Sequence, residues 1–147
     1  MPLKLEYRTG VRAPAAAIWR VLSDIEGWPK WNPLYTKAAG VIRIGAQLDL
    51  EVALRGQAPR AIRPVILDWV PNEQLHWRVS MAGGLVKSTR YFEIEELTPE
   101  ASIFSNGEMF TGLMGPTVAK RLRGPIRDGF RDMGEAVKTL AEAAAGG

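Results

Sequence analysis

The chain has 147 residues, with 46% hydrophobic and 24% charged, which suits one globular domain able to bury a sizeable core. A net charge of +3 is too small by itself to argue for nucleic acid. The absence of cysteine excludes disulfides, a thiolate nucleophile and Cys-based metal sites, and the single histidine, His76, excludes a His-rich metal centre.

The first segment, "LKLEYRTGV", alternates Leu3, Leu5 and Tyr7 with Lys4, Glu6 and Arg8, the pattern of a half-buried strand. "APAAAIWRVLSDI" follows, with Pro14 suited to a helix start and Ile18, Val21, Leu22 and Ile25 at helical spacing. "EGWPKWNPLY" then places Trp28 and Trp31 in a segment where Gly27 and Pro29 are expected to break that helix and Pro33 to stop it resuming. Six strand-like segments come next. These are "AAGVIRI", "AQLDLEVAL", "RAIRPVILDWV", "QLHWRVS", "LVKSTRYFEIEEL" and "ASIFSNGEMF". Pro64 implies an edge or a bulge in the third. Beyond "TGLMGP", the residues Val118, Leu122, Ile126, Phe130, Met133, Val137 and Leu140 recur every three or four positions and predict a long helix facing the sheet. Gly124-Pro125 predicts a kink or restart in it, because Pro125 has no amide hydrogen to donate.

No run approaches about 18 uninterrupted apolar residues, and the N-terminus lacks a signal-peptide core. The expectation is a single cytoplasmic domain over residues 1–147 with no membrane span, no metal and no cofactor. The segment "AGGLVKS" lacks the spacing of a phosphate loop and precedes a strand.

This order of strand, short helices, six strands and long helix resembles the START/SRPBCC helix-grip superfamily, in its bacterial polyketide cyclase/dehydrase-like branch. The residues that carry the resemblance are "VRAPAAAIWRVLSDIEGWPKWNP", "STRYFEIEEL", "GEMFTGLMGP" and "GFRDMGEAVK". It implies an α+β fold in which a curved seven-stranded antiparallel sheet wraps around the C-terminal helix, with two short helices between strands 1 and 2. It also implies a cavity between sheet and helix. That superfamily contains lipid and hormone carriers and aromatic polyketide cyclases. Under this likeness Trp28 and Trp31 plug the open end of the sheet. Either both rings seal the core, or Trp31 and Asn32 line a cavity mouth.

Strand parity sorts the remaining candidates. Ser88, Arg90, Phe92 and Ile94 share one face of their strand, as do Phe104, Asn106, Glu108 and Phe110 on the next. The phenylalanines mark these faces as inner, which brings Arg90, Asn106 and Glu108 inside. There they either form a structural Arg90–Glu108 ion pair or a polar patch that orients a greasy ligand. His76 falls opposite Leu75, Trp77 and Val79 and should face out, so a Ser-His-Asp arrangement has no base. The basic residues Lys120, Arg123, Arg127, Arg131 and Lys138 on the last helix read as a solvated outer face.

The candidate ligand-binding set is Trp31, Asn32, Trp77, Arg90, Phe92, Phe104, Asn106, Glu108, Phe110, Phe130 and Met133. The expected partner is a small hydrophobic molecule, such as a lipid or an aromatic or polyketide-like metabolite, and not nucleic acid. Alternatives are a cyclase or dehydratase-like enzyme on such a ligand, with no catalytic residue assigned, or a protein-partner module such as a chaperone cofactor. Oligomeric state is not legible.

Overall fold

The computed structural model describes residues 2–146. Strand β1 (Leu3–Val11) leads into helix α1 (Ala15–Ser23) and a 3-10 helix (Ile25–Lys30). Strands β2 (Tyr35–Ala39), β3 (Asp49–Val52), β4 (Arg60–Ile62), β5 (Val65–Val70), β6 (Gln74–Met81), β7 (Val86–Thr98) and β8 (Ala101–Thr111) follow. Helices α2 (Gly115–Arg121) and α3 (Arg123–Gly146) close the chain.

The strands are antiparallel and form two sheets, ordered β1-β8-β7-β6-β5 and β2-β3-β4. Backbone bonds connect them. Gly45 donates to the Ile66 carbonyl (2.8 Å), Ile66 to Ala46 (2.9 Å) and Leu48 to Pro64 (3.0 Å). Among the described residues there are eight strands where the sequence suggests seven. The extra one arises at Pro64, which has no donor for the ladder and divides "RAIRPVILDWV" into β4 and β5. The first strand after the helices also lies earlier than expected. It begins at Tyr35 and ends before Gly40, whose φ of +134° suits glycine alone. Residues 41–44 belong to no strand, and Val41 and Ile44 are exposed.

Helix α1 buries Ala15, Ala17, Ile18 and Leu22 on one face. It ends at Ser23, before Gly27 and Pro29, which lie inside the 3-10 helix and do not break α1. The restart near Pro125 is present. Leu122 leaves helical geometry (φ −102°, ψ 17°), and α3 begins one residue later with Pro125 in its first turn. Ile126, Phe130, Met133 and Val137 are buried, and Val118 and Leu122 are half-buried. Leu140 departs from the expected stripe. It is exposed, and Ala141, four residues after Val137, takes the inward position. Gly134 lets α3 approach β1, since a Cβ there would lie 2.9 Å from the Tyr7 ring.

Candidate functional site

The parity of the central hairpin follows the sequence. Arg90 pairs directly across from Glu108, and Phe92 from Asn106. Ser88, Arg90, Phe92 and Ile94 are buried, as are Phe104, Asn106 and Phe110. On the opposite face Gly107 leaves room for Tyr91. A Cβ at Gly107 would collide with the Tyr91 hydroxyl and lie 2.7 Å from the Leu5 carbonyl oxygen. Tyr91 donates to Glu6, and its hydroxyl is held far above the ordinary range by burial, reinforced by that carboxylate. His76 also lies on this outer face, with Nε2 3.0 Å from a Glu93 oxygen.

A cavity of about 520 Å³ lies between the sheet and the helices. Its deep end is formed by the buried residues Tyr35, Trp77, Ser88, Phe110, Ile126 and Phe130, with Glu108 on the same wall. Val52, Leu54 and Ile62 from β3 and β4 make one side, and Val118 and Leu122 face them from the helical joint. The exposed residues 57–61 rim the opening.

Four of the sequence-predicted residues therefore line the cavity: Trp77, Glu108, Phe110 and Phe130. The others sit elsewhere in the interior. Arg90 is 1% exposed, and its guanidinium donates to groups other than Glu108. Nε donates to the Tyr35 hydroxyl (2.9 Å) and Nη1 to the Gly107 carbonyl (2.9 Å). The guanidinium carbon lies 4.3 Å from the Phe92 ring centre and 4.1 Å from that of Phe130, with the Met133 sulfur beside it. Two aromatic faces and two charge-assisted hydrogen bonds replace its hydration. The Arg90–Glu108 ion pair does not form, and Arg90 has no ion-pair partner among the described residues.

Asn106 lies beyond Phe130, donating from Nδ2 to the Phe130 carbonyl (2.6 Å). Phe104 is fully buried and stacks on Phe92. Asn32 folds the chain into β2, its Oδ1 accepting from the amides of Leu34 (2.9 Å) and Tyr35 (3.1 Å). Trp28 is buried in a cluster with Tyr35, Trp77 and Phe92, and donates from Nε1 to the Leu22 carbonyl (3.1 Å). Trp31 packs edge-on against Trp28, outside the cavity lining. The two rings thus belong to the core, and neither Trp31 nor Asn32 rims the opening.

Burial pushes the Glu108 carboxyl above the usual carboxylate range, against the pull of the Arg90 charge and the Ser88 hydroxyl. Burial likewise raises the Tyr35 hydroxyl, against the same Arg90 charge. The deep end thus holds a carboxyl, a phenol and a hydroxyl in an otherwise apolar wall. Tyr35, Ser88 and the rim of residues 57–61 were not singled out from sequence. Ser88 was already on the inner face by parity, whereas the rim loop carries no periodic signal. Among the described residues no cluster of His, Asp or Glu is suited to a metal, and no helix is long and apolar enough to cross a membrane.

Residues 2–142 match the family described as polyketide cyclase / dehydrase and lipid transport. The chain belongs to that family. Solved structures agree on the fold. The Zhui aromatase/cyclase from Streptomyces is 18% identical with a TM-score of 0.78, over 97% of this chain and 94% of that one. A START superfamily protein from Mycobacterium smegmatis is 23% identical with a TM-score of 0.72, over 96% and 98%. A norcoclaurine synthase point mutant from Thalictrum flavum, in complex with a transition-state analogue, is 17% identical with a TM-score of 0.74, over 98% and 96%. No curated protein matches. The helix-grip architecture of the START/SRPBCC superfamily is thereby established for this chain.

Proposed function

We propose that the protein binds a small, largely apolar molecule in this cavity, with a polar group of the ligand set against Glu108, Ser88 and Tyr35. The observation that carries the reading is the cavity itself. About 520 Å³ is within the usual range for ligand sites, and its deep end holds a carboxyl with no ion-pair partner among the described residues. The Tyr35 oxygen accepts from Arg90, which leaves its own proton for a ligand oxygen. In this reading Trp77, Phe110 and Phe130 touch the ligand, and Arg90, Phe92 and Met133 brace the wall behind them. Trp31, Asn32, Phe104 and Asn106 act only through the packing.

Glu108 supports a second reading, an enzyme of cyclase or dehydratase type. A carboxyl kept protonated to higher pH within an apolar wall is suited to give and take a proton. An aromatase/cyclase and a norcoclaurine synthase share the fold. A chaperone-cofactor role calls for a filled interior and finds less support in this one.

Native mass spectrometry of protein isolated from its own source tests the binding reading. A co-purifying small molecule is expected, and adding it back to stripped protein should quench tryptophan fluorescence saturably, because Trp77 lines the wall. Absence of any bound mass, together with no saturable quenching by lipids and polycyclic aromatics, would overturn it. Turnover of the recovered molecule, lost in Glu108→Gln while binding persists, would establish the enzymatic reading.

A further inference from the structure

We infer that the end of the molecule bearing the cavity mouth docks on an anionic lipid bilayer. Charge is distributed unevenly along the chain. Residues 53–67, 77–92 and 109–127 hold ten of the 19 basic residues and none of the 16 acidic ones. These three segments meet at one end of the fold. They include the β3–β4 loop, the β6–β7 turn, and the β8–α2 turn with the helical joint that follows it, together with parts of the adjoining strands, and of the ten cations only Arg90 is buried in the core.

Contacts tie these parts together. Met114 donates its amide to the Leu85 carbonyl (2.8 Å), which fixes the β8–α2 turn against the β6–β7 turn. Arg60 Nη1 lies 3.7 Å from the Met81 sulfur, and both residues line the cavity. Arg55 is held by Asp128 and Asp132, and Arg63 by Asp49. Arg60, Lys87, Lys120, Arg121 and Arg123 are exposed and form no ion pair among the described residues.

Apolar side chains project from the same end. Leu113 is 82% exposed, Leu85 46% and Met114 43%. Cations around protruding aliphatic side chains match a bilayer with anionic headgroups, which attracts the charges and takes the aliphatic tips into its acyl boundary. Nucleic acid suits the surface less well. Binding of single strands uses aromatic platforms, and Leu85, Leu113 and Met114 offer none. The cavity opens at the same end, since the exposed Arg60 of its rim and Met81 at the start of the β6–β7 turn both line it. Docking of this kind does not require the cavity to be occupied.

Co-sedimentation of the full chain with vesicles tests it, using phosphatidylcholine alone and phosphatidylcholine mixed with phosphatidylglycerol. Binding is expected to the mixed vesicles only, and to weaken as salt is added. Each cation at an anionic surface contributes roughly a fivefold change in binding, so Lys120→Gln with Arg121→Gln should lower it by about twenty-five-fold. Leu113→Ser should lower it by about tenfold, the loss of one inserted aliphatic side chain. All three positions are outside the core, and thermal melts of the variants should match the parent. Equal binding to the two lipid compositions, no binding to either, or unchanged binding in both variants would overturn the inference. Retention on heparin that survives Leu113→Ser, without vesicle binding, would overturn it in favour of a polyanion surface.

Discussion

Neutralising Glu108 should stabilise the empty protein at neutral pH. Its carboxyl is raised by burial, and the Arg90 charge offsets only part of that cost. A carboxyl raised in the folded state binds more protons there than in the unfolded chain. Stability is therefore greatest below the unfolded value, near 4.5, and falls as pH rises through the folded value. Each tenfold suppression of ionisation costs the folded state about 1.4 kcal/mol at higher pH. For a domain of this size that corresponds to a melting temperature lower by roughly 3–5 °C. Glu108→Gln keeps the shape and removes the charge, so it abolishes this cost. Melts of parent and variant, followed by circular dichroism from acid to neutral pH, should coincide at about pH 4 and separate as pH rises, with the variant higher. A variant that melts lower than the parent at neutral pH would refute the reasoning, because it would mean that the carboxylate supports the buried Arg90 cation.

Gly107→Ala should cost about 1–3 kcal/mol in urea denaturation, as expected for overpacking, because its Cβ collides with the Tyr91 hydroxyl and lies 2.7 Å from the Leu5 carbonyl oxygen; an unchanged midpoint would contradict the close approach. Phe130→Ala should cost about 3–5 kcal/mol and open the cavity toward Arg90, because the ring both lines the cavity and stacks on the guanidinium. Phe130→Leu should recover most of that loss in the same denaturation series. His76→Gln should change stability by less than about 0.5 kcal/mol, since the ring lies on the outer face of the sheet, and a large loss would place it in the core.

Much of the fold was legible because periodicity reports burial. Alternation placed Leu75, Trp77 and Val79 inside and His76 outside, and the same parity turned Arg90, Asn106 and Glu108 inward. The helical restart was legible because Pro125 removes a specific donor. The edges of elements were less so. Val41 and Ile44 read as strand by residue type, but the turn at Gly40 carries them out of the ladder. Parity names a face and says nothing of how far a long side chain reaches along it. Arg90 and Glu108 share a face and a register position, and their polar ends still go to different places. The cavity rim was hidden for another reason. Val52, Leu54, Val118 and Leu122 carry the pattern of ordinary core residues, and only packing distinguishes a filled interior from an open one.

The separation of Arg90 from Glu108 bears directly on what the interior is for. Strand register sets the two residues opposite one another, the arrangement from which an ion pair would form most readily. A buried pair contributes through close contact and loses most of its benefit when the partners are apart. Here the Tyr35 hydroxyl and the Gly107 carbonyl take two of the arginine's donors, and the rings of Phe92 and Phe130 cover its faces. Phe130 then stands between the cation and the cavity, with Glu108 left on the cavity wall. A carboxyl buried for structure alone would be expected to take the nearest cation. One left without it, at the deep end of an open apolar space, remains available to a polar group that enters from outside, which is why this arrangement favours a ligand site over a structural ion pair.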